Sequence, residues 1–374
     1  MKIGITTDSI DSVKYLKGVA NYTKNVVKGI VSLGTNHSLY LVHFRQNDDE
    51  VYKFGINEIL VKPLLGYNSF SKLLTNMFRQ SLLEDLDVIH VNFPDTYQFP
   101  LFYLPIKKIL TVHDLLNLYI PPEHSYLKAK VYNNPKGWIQ QKLIEWWFPR
   151  VKEKIDAHIV TSNFLKKKLV ECLSIPEERI WTVYEGVNHQ KFKPLNISPS
   201  SDFILTESPF SELIKVYYKL KKRGIKHKLV IFSKRGYGEE AKRLVNELSL
   251  QKDVIFTGYV PEQKLVELYN TAAVFVRLDE YDAFNLPSLE AMACGCPVVL
   301  HNIDAAPEVF GDAAVLVSPF DVDKLTDAIY GILTNGGLRE GMIKKGLERA
   351  KMFSWEKTTK ETIKVYEEVC DANS

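Results

Sequence analysis

The stretch DEYDAFNLPSLEAMACGCPVV, Asp279 to Val299, runs from an acidic turn through a short helix and a glycine stop into an apolar strand. Pro287 suits the opening of a helix, because its missing N–H is one of the donors that a first turn leaves unpaired anyway. Gly295 suits a left-handed stop after Cys294. SLEAMAC between them reads as one short helix, whose start offers free backbone N–H groups and a positive dipole end, with Glu290 beside them. The strand that follows is β-branched and apolar throughout, as in a sheet covered on both faces. Such a loop and helix start suit an anionic, hydroxylated ligand.

Outward from this unit the same alternation continues in both directions. KIGITT, LYLVHF, DVIHV, KKILTVHD and AHIVTS alternate with amphipathic runs at Val19–Ser32, Phe70–Leu83 and Trp138–Lys154. FILT, KLVIFS, DVIFTG, AAVFVRL, CPVVL and AAVLVS form a second series after the polar connector NISPSSD, Asn196–Asp202. That is the pattern of doubly wound parallel sheets. At 374 residues the chain exceeds what one hydrophobic core organises, so two domains are expected, with the boundary at the connector. Helical patterns close the sequence, the final one beginning near Ser354. In open sheets ligands bind beyond the carboxyl ends of the strands, so two such domains are expected to face each other across a cleft.

The bulk numbers narrow the function classes. A net charge of +3 is too small to imply a nucleic-acid partner, though it does not hinder binding of phosphates, and 45% hydrophobic with 25% charged residues argues against disorder. Cys172, Cys294, Cys296 and Cys370 form no CxxC pair and have no histidines at ligand spacing, so neither disulfides nor a metal site is expected. KIGITT follows Met1 directly and no apolar run spans a bilayer, which places the expected location in the cytoplasm.

The opening stretch, with TVHDLLNLY, VTSNFLKKKLVECLSIPEERIWTVYEGVN, VIFTGYVPEQKLVELYNTAAVFV and APEVFGDAAVLVSPFDVDKL, resembles the group 1 retaining, nucleotide-sugar-dependent glycosyltransferases with the GT-B fold. The order of the pieces matches from Thr111 to Leu325, and KGVANYTKNVVKGI extends the likeness toward the N-terminus. The resemblance implies an α/β protein of two Rossmann-like domains: residues 1–197 on the acceptor side, residues 198–354 holding the donor, and a C-terminal helix, 355–374, crossing back. It implies transfer from a nucleoside diphosphate sugar to a hydroxyl acceptor, saccharide or lipid-linked, with no cofactor and no obligatory metal.

The same resemblance distributes the roles. Glu290 matches the glutamate that binds ribose hydroxyls, a task suited to a carboxylate that accepts from two neighbouring O–H groups. Its bland alternative is a carboxylate steadied by a helix N-terminus. Asp282 stands at the glutamate that contacts the transferred sugar, one methylene shorter than usual. Ala283, Phe284, Asn285 and Leu286 offer the backbone of the donor loop, with Ala283 and Asn285 where glycines are common. His113 matches the histidine that approaches the donor sugar; alternatively its imidazole satisfies a neighbour such as Asp114. Gly18, with Lys17, stands at the turn that brings N–H groups to phosphate, and Gly258, Tyr259 and Val260 at the turn that receives the nucleobase.

The largest departure is FILTESPFSELIKV, where the family's Arg and Lys for the leaving diphosphate are absent between Ile204 and Ile214. Lys234, Arg235 and Lys17 are the expected substitutes, with solvated surface residues as the plain alternative for the first two. The departure also raises a second reading, a catalytically impaired subunit that binds a nucleotide, sugar or partner protein. Finally, YLKAKVYNNPKGWIQQKLIEWWFPRVKEK carries Trp138, Trp146, Trp147 and Phe148 among lysines. A core helix with one aromatic face is the favoured reading, and peripheral membrane contact the lesser one.

Overall fold

The computed structural model describes residues 1–11, 17–45, 48–65, 69–93, 95–119, 135–197, 202–207, 211–233 and 238–371. Seven strands build the first sheet: β1 Lys2–Thr6, β2 Ser38–His43, β3 Asn57–Leu60, β4 Val88–Val91, β5 Lys107–Val112, β6 Ala157–Val160 and β7 Ile180–Thr182. Their order is β3-β2-β1-β4-β5-β6-β7 and every pairing is parallel. Six more form the second: β8 Phe203–Glu207, β9 Lys228–Phe232, β10 Val254–Gly258, β11 Val274–Arg277, β12 Val298–His301 and β13 Val315–Val317. These lie parallel in the order β10-β9-β8-β11-β12-β13. Strand order therefore reverses between β1 and β4 in one sheet and between β8 and β11 in the other, and the reversal opens a crevice at the carboxyl ends.

Burial explains why these segments are strands. All four residues of β4, β6 and β12 are buried, so each sheet is covered on both faces and its strands read as continuous apolar runs. In the second sheet Ile204, Leu229, Ile231, Val274, Val276 and Val299 share one core with the apolar face of the helix Ser211–Lys222.

The chain forms two units, residues 1–185 with 355–374, and residues 186–354. The division precedes the expected connector because the intervening stretch packs on the second unit. The Leu195 amide donates to Asn270 Oδ1 at 2.7 Å, the Lys193 carbonyl accepts from Asn270 Nδ2 at 3.1 Å, and Phe192 meets the Tyr269 ring. Residues 198–201 of the connector lie outside the described residues. The last helix, Trp355–Asp371, belongs to the first unit. It lies so close to the helix Lys17–Leu33 that a Cβ at Gly29 would stand 2.0 Å from Thr359 Oγ1, which is why that position is glycine. Tyr366 reaches His90 Nδ1 at 2.6 Å, and His90 Nε2 meets Thr111 Oγ1 at 2.6 Å, so a buried polar chain ties the helix to β4 and β5.

The helix Pro135–Val151 corrects the favoured core reading of its aromatic residues. Ile144, Phe148 and Val151 are buried, but Trp138 and Trp146 are 46% and 57% exposed. The helix is apolar on two faces, and the fold covers only one of them.

Candidate active site

In the second unit the segment after β11 is organised by one residue. Asn285 sits in the left-handed region, φ 64° and ψ 57°, where the asparagine side chain makes the conformation tolerable. Its Oδ1 accepts from the Ser288 amide at 3.3 Å and from Ser288 Oγ at 2.8 Å, capping the helix Leu286–Ala293. Its Nδ2 donates to Asp282 Oδ2 at 2.7 Å. Pro287 falls at the second helical position and Gly295, φ 79°, follows the helix end. Asparagine at a family glycine thus keeps the backbone bend and adds a tie to Asp282.

Asp282 is buried and held from several sides. Its Oδ1 accepts from the Phe284 amide at 3.2 Å, its own amide donates to Asp304 Oδ2 at 2.9 Å, and its carbonyl accepts from the Ala305 amide at 3.2 Å. Burial, then the neighbouring Asp279 carboxylate, push its pKa up to about 7, against the lowering pull of Asn285 and Arg277. Ala283 and Leu286 are half-buried on either side of Phe284, which is buried edge-on against Phe353.

Glu290 is half-buried at the fifth position of its helix, past the first turn, where the free amides lie. Its charge bears on Tyr269 and Cys294, both raised first by burial and then by Glu290, the thiol to about 12. The Tyr269 hydroxyl is buried with no partner among the described residues. Gly258, φ 75°, ends β10 at a register shift, with Tyr259 exposed and Val260 half-buried beyond it.

Three ion pairs at the carboxyl edge of this sheet gave no signal in the sequence. Arg277, closing β11, donates to Glu207 at the end of β8 and to Asp279. Burial opposes its charge, and the two carboxylates outweigh burial, so Arg277 stays cationic. His301, closing β12, is 3.2 Å from Glu212 Oε2 and donates from Nδ1 to the Asp279 carbonyl at 3.0 Å. Burial lowers the His301 pKa, but Glu212 and the carbonyl raise it further, leaving it above the ordinary value. The segment after β8, where family bases were missing, therefore carries acids instead, and the neighbouring strands carry the cations. Arg277 is already answered by two carboxylates and is first of all a structural charge. Lys234 and Arg235 lie outside the described residues.

In the first unit His113 follows β5. Its expected neighbour Asp114 is otherwise engaged, capping the turn Leu115–Asn117 by accepting from the Leu116 amide at 2.7 Å. His113 instead places Nδ1 3.0 Å from Glu185 Oε1, and its ring stands edge-on to Tyr22, centroids 4.6 Å apart. Nδ1 faces the carboxylate, and Nε2, the other polar atom of the ring, is buried with no partner among the described residues. Gly18 lies in the helix that Lys17 opens, and a Cβ there would meet nothing within 4 Å. Internal packing thus gives no reason for glycine at that position.

Two family models cover most of the chain: "Glycosyl transferases group 1" matches residues 188–349, and "Glycosyltransferase Family 4" matches residues 16–191. The chain belongs to the group 1 glycosyltransferases. The O-antigen chain mannosyltransferase B of Escherichia coli is 28% identical, with 98% of this chain and 99% of that protein aligned. Among solved structures, sucrose-phosphate synthase of Thermosynechococcus elongatus superposes with a TM-score of 0.76 at 18% identity over the whole of both chains. The Anabaena protein HepE, solved with UDP and glucose, gives 0.72 at 15% identity over 98% and 99% of the two chains. The fold of this glycosyltransferase is GT-B, α/β in both units, as the family resemblance implied. No helix among the described residues is long and apolar enough to cross a membrane.

Proposed function

We propose that this glycosyltransferase retains the configuration of the transferred sugar, uses a nucleoside diphosphate sugar as donor, and needs no metal. The full-length likeness to an O-antigen mannosyltransferase favours a mannosyl group added to a saccharide hydroxyl. The carbon–oxygen bond to the diphosphate breaks as the acceptor oxygen bonds to the sugar carbon, and the acceptor proton passes to a diphosphate oxygen. Lys17, Lys234 and Arg235 are the cations assigned to the leaving diphosphate, since Arg277 is already paired. Ala283, Phe284, Asn285 and Leu286 line the sugar and phosphate, Gly18 lets phosphate approach the backbone, and Gly258, Tyr259 and Val260 receive the base. Free cysteines, two of them buried, support action in the reducing cytoplasm.

The observation that carries this reading is His113: one ring nitrogen held by Glu185 and the other buried without a partner among the described residues. An unpaired buried polar atom is costly, and a sugar hydroxyl, able to donate or accept, would satisfy it. Glu290 takes the ribose hydroxyls and Asp282 the hydroxyls of the transferred sugar. The test is calorimetric titration of a panel of nucleoside diphosphates against the wild type and Glu290→Gln. One charge-assisted hydrogen bond contributes about 1.5 to 3 kcal/mol, so the variant is expected to bind roughly ten- to a hundredfold more weakly. Equal affinity in a folded Glu290→Gln variant removes the ribose role, and a silent panel removes nucleotide binding altogether.

A further inference from the structure

We propose that the uncovered face of the helix Pro135–Val151, with its surroundings in the first unit, docks on an anionic lipid bilayer. Ile139, Leu143 and Trp146 recur at i, i+4 and i+7, one stripe of the helix, and are 51%, 44% and 57% exposed. The opposite stripe, with Ile144 and Phe148, already serves the core. The exposed stripe is not isolated. Trp146 helps line a groove of about 380 Å³ together with Met77, Tyr103 and Arg150, so the helix Ser69–Phe78 joins the same surface. Met77, which lines that groove, is 50% exposed. Contiguous apolar surface of this kind marks an interaction site.

Charge and composition select the occupant. Arg150 lies 4.2 Å over the Trp146 ring and Lys154 4.9 Å over that of Tyr103, so cations edge the aromatic surface. Lys142 on the same helix is paired with Glu145 at 2.7 Å. Between Pro121 and Lys154 the chain carries seven Lys or Arg against three Asp or Glu. Aliphatic and aromatic side chains rimmed by cations match the boundary between acyl chains and anionic headgroups, where Trp and Tyr place a ring in each medium. A saccharide would use the faces of Trp146 and Tyr103 but has no use for Ile139, Leu143 or Met77. Contact is with the surface only, since no described helix crosses a membrane. Nothing here depends on the donor chemistry, so either reading can fail without the other.

The experiment is co-sedimentation of the full chain with vesicles of phosphatidylcholine, alone or mixed with phosphatidylglycerol, for the wild type, Leu143→Asp and Trp146→Asp. Both side chains are exposed, so the variants keep the fold, and an unchanged thermal midpoint verifies this. The wild type is expected to bind the mixed vesicles, weakly the neutral ones, and less as salt rises. Each aspartate is expected to lower partition by about tenfold or more, since full burial of a large apolar side chain contributes about 1.5 to 3 kcal/mol. Brominated lipid should quench tryptophan emission in the wild type and less in Trp146→Asp. A wild type that stays in the supernatant overturns the proposal, as does equal partition of all three. Self-association abolished by Leu143→Asp, without vesicle binding, would assign the face to a second copy of the chain instead.

Discussion

Glu185 reaches His113 from 72 residues away, and the contact decides what the histidine can do. A carboxylate on Nδ1 fixes both the ring plane and the tautomer, while the Tyr22 edge blocks rotation from the other side. Glu185 touches no reacting atom and acts as a positioning residue. Glu185→Ala releases the ring, and misplacement of a binding group by about 1 Å is enough to cost roughly a hundredfold in rate. Glu185→Gln keeps an oxygen that accepts from Nδ1 and is expected to recover most of the loss. Steady-state kinetics should show the deficit in kcat more than in KM, with an unchanged melting temperature in both variants. Wild-type turnover in Glu185→Ala would remove the positioning role.

The helix Leu286–Ala293 is too short to hold itself together by propensity, so its first turn depends on the cap at Asn285. Two properties meet there: a side chain that accepts from Ser288 and a backbone in the left-handed region. Alanine at the position forfeits the cap, about 1 kcal/mol, and meets a left-handed penalty of roughly 1 to 2 kcal/mol. Glycine forfeits only a few tenths for the cap. Urea denaturation should therefore rank wild type, then Asn285→Gly closely behind, then Asn285→Ala lower by about 2 kcal/mol or more. If the two variants prove equally stable, the left-handed conformation is not what the asparagine serves. Asn285→Gly also separates stability from function, since it cuts the tie to Asp282 while keeping the bend.

Across the whole molecule the buried titratable groups divide by unit. His90 and His158 in the first unit are held neutral, both pushed down to about 3, chiefly by burial. Their unfolded forms take up protons first as pH falls, so the stability they contribute is complete above about 6.5 and is lost toward their folded pKa. In the second unit Asp282, about 7, and His301, raised by Glu212, behave oppositely. Both hold protons more tightly when folded, so their contribution is present in acid and is lost as pH rises through the folded pKa. Asp95 in the first unit, also raised by burial, opposes the two histidines there. Scanning calorimetry between about pH 5 and 7.5 should show the first unit's transition falling on acidification and the second unit's rising. Parallel movement of both would contradict this division. Asp282→Asn should flatten the response of the second unit alone.

What the amino-acid sequence determined by itself was everything set by near neighbours. Strand and helix periods, the Pro287 and Gly295 punctuation and the tolerance of Asn285 for a left-handed bend each depend on a few consecutive residues, and together they specify two parallel α/β sheets. The ordered motifs from Thr111 to Leu325 placed the loop of Asp282 and Glu290 for the same reason. The partners of the site residues were not legible. Glu207 with Arg277 and Glu212 with His301 meet only because strand order reverses between β8 and β11, and Glu185 with His113 because the parallel strands β5, β6 and β7 set their carboxyl ends side by side. The unit boundary likewise followed from Leu195 binding Asn270 rather than from the polar connector. The helix Pro135–Val151 is the sharpest case, since its two stripes are both apolar and periodicity cannot rank them. Only the packed sheet decided that Ile144 and Phe148 went inside and Leu143 and Trp146 stayed out.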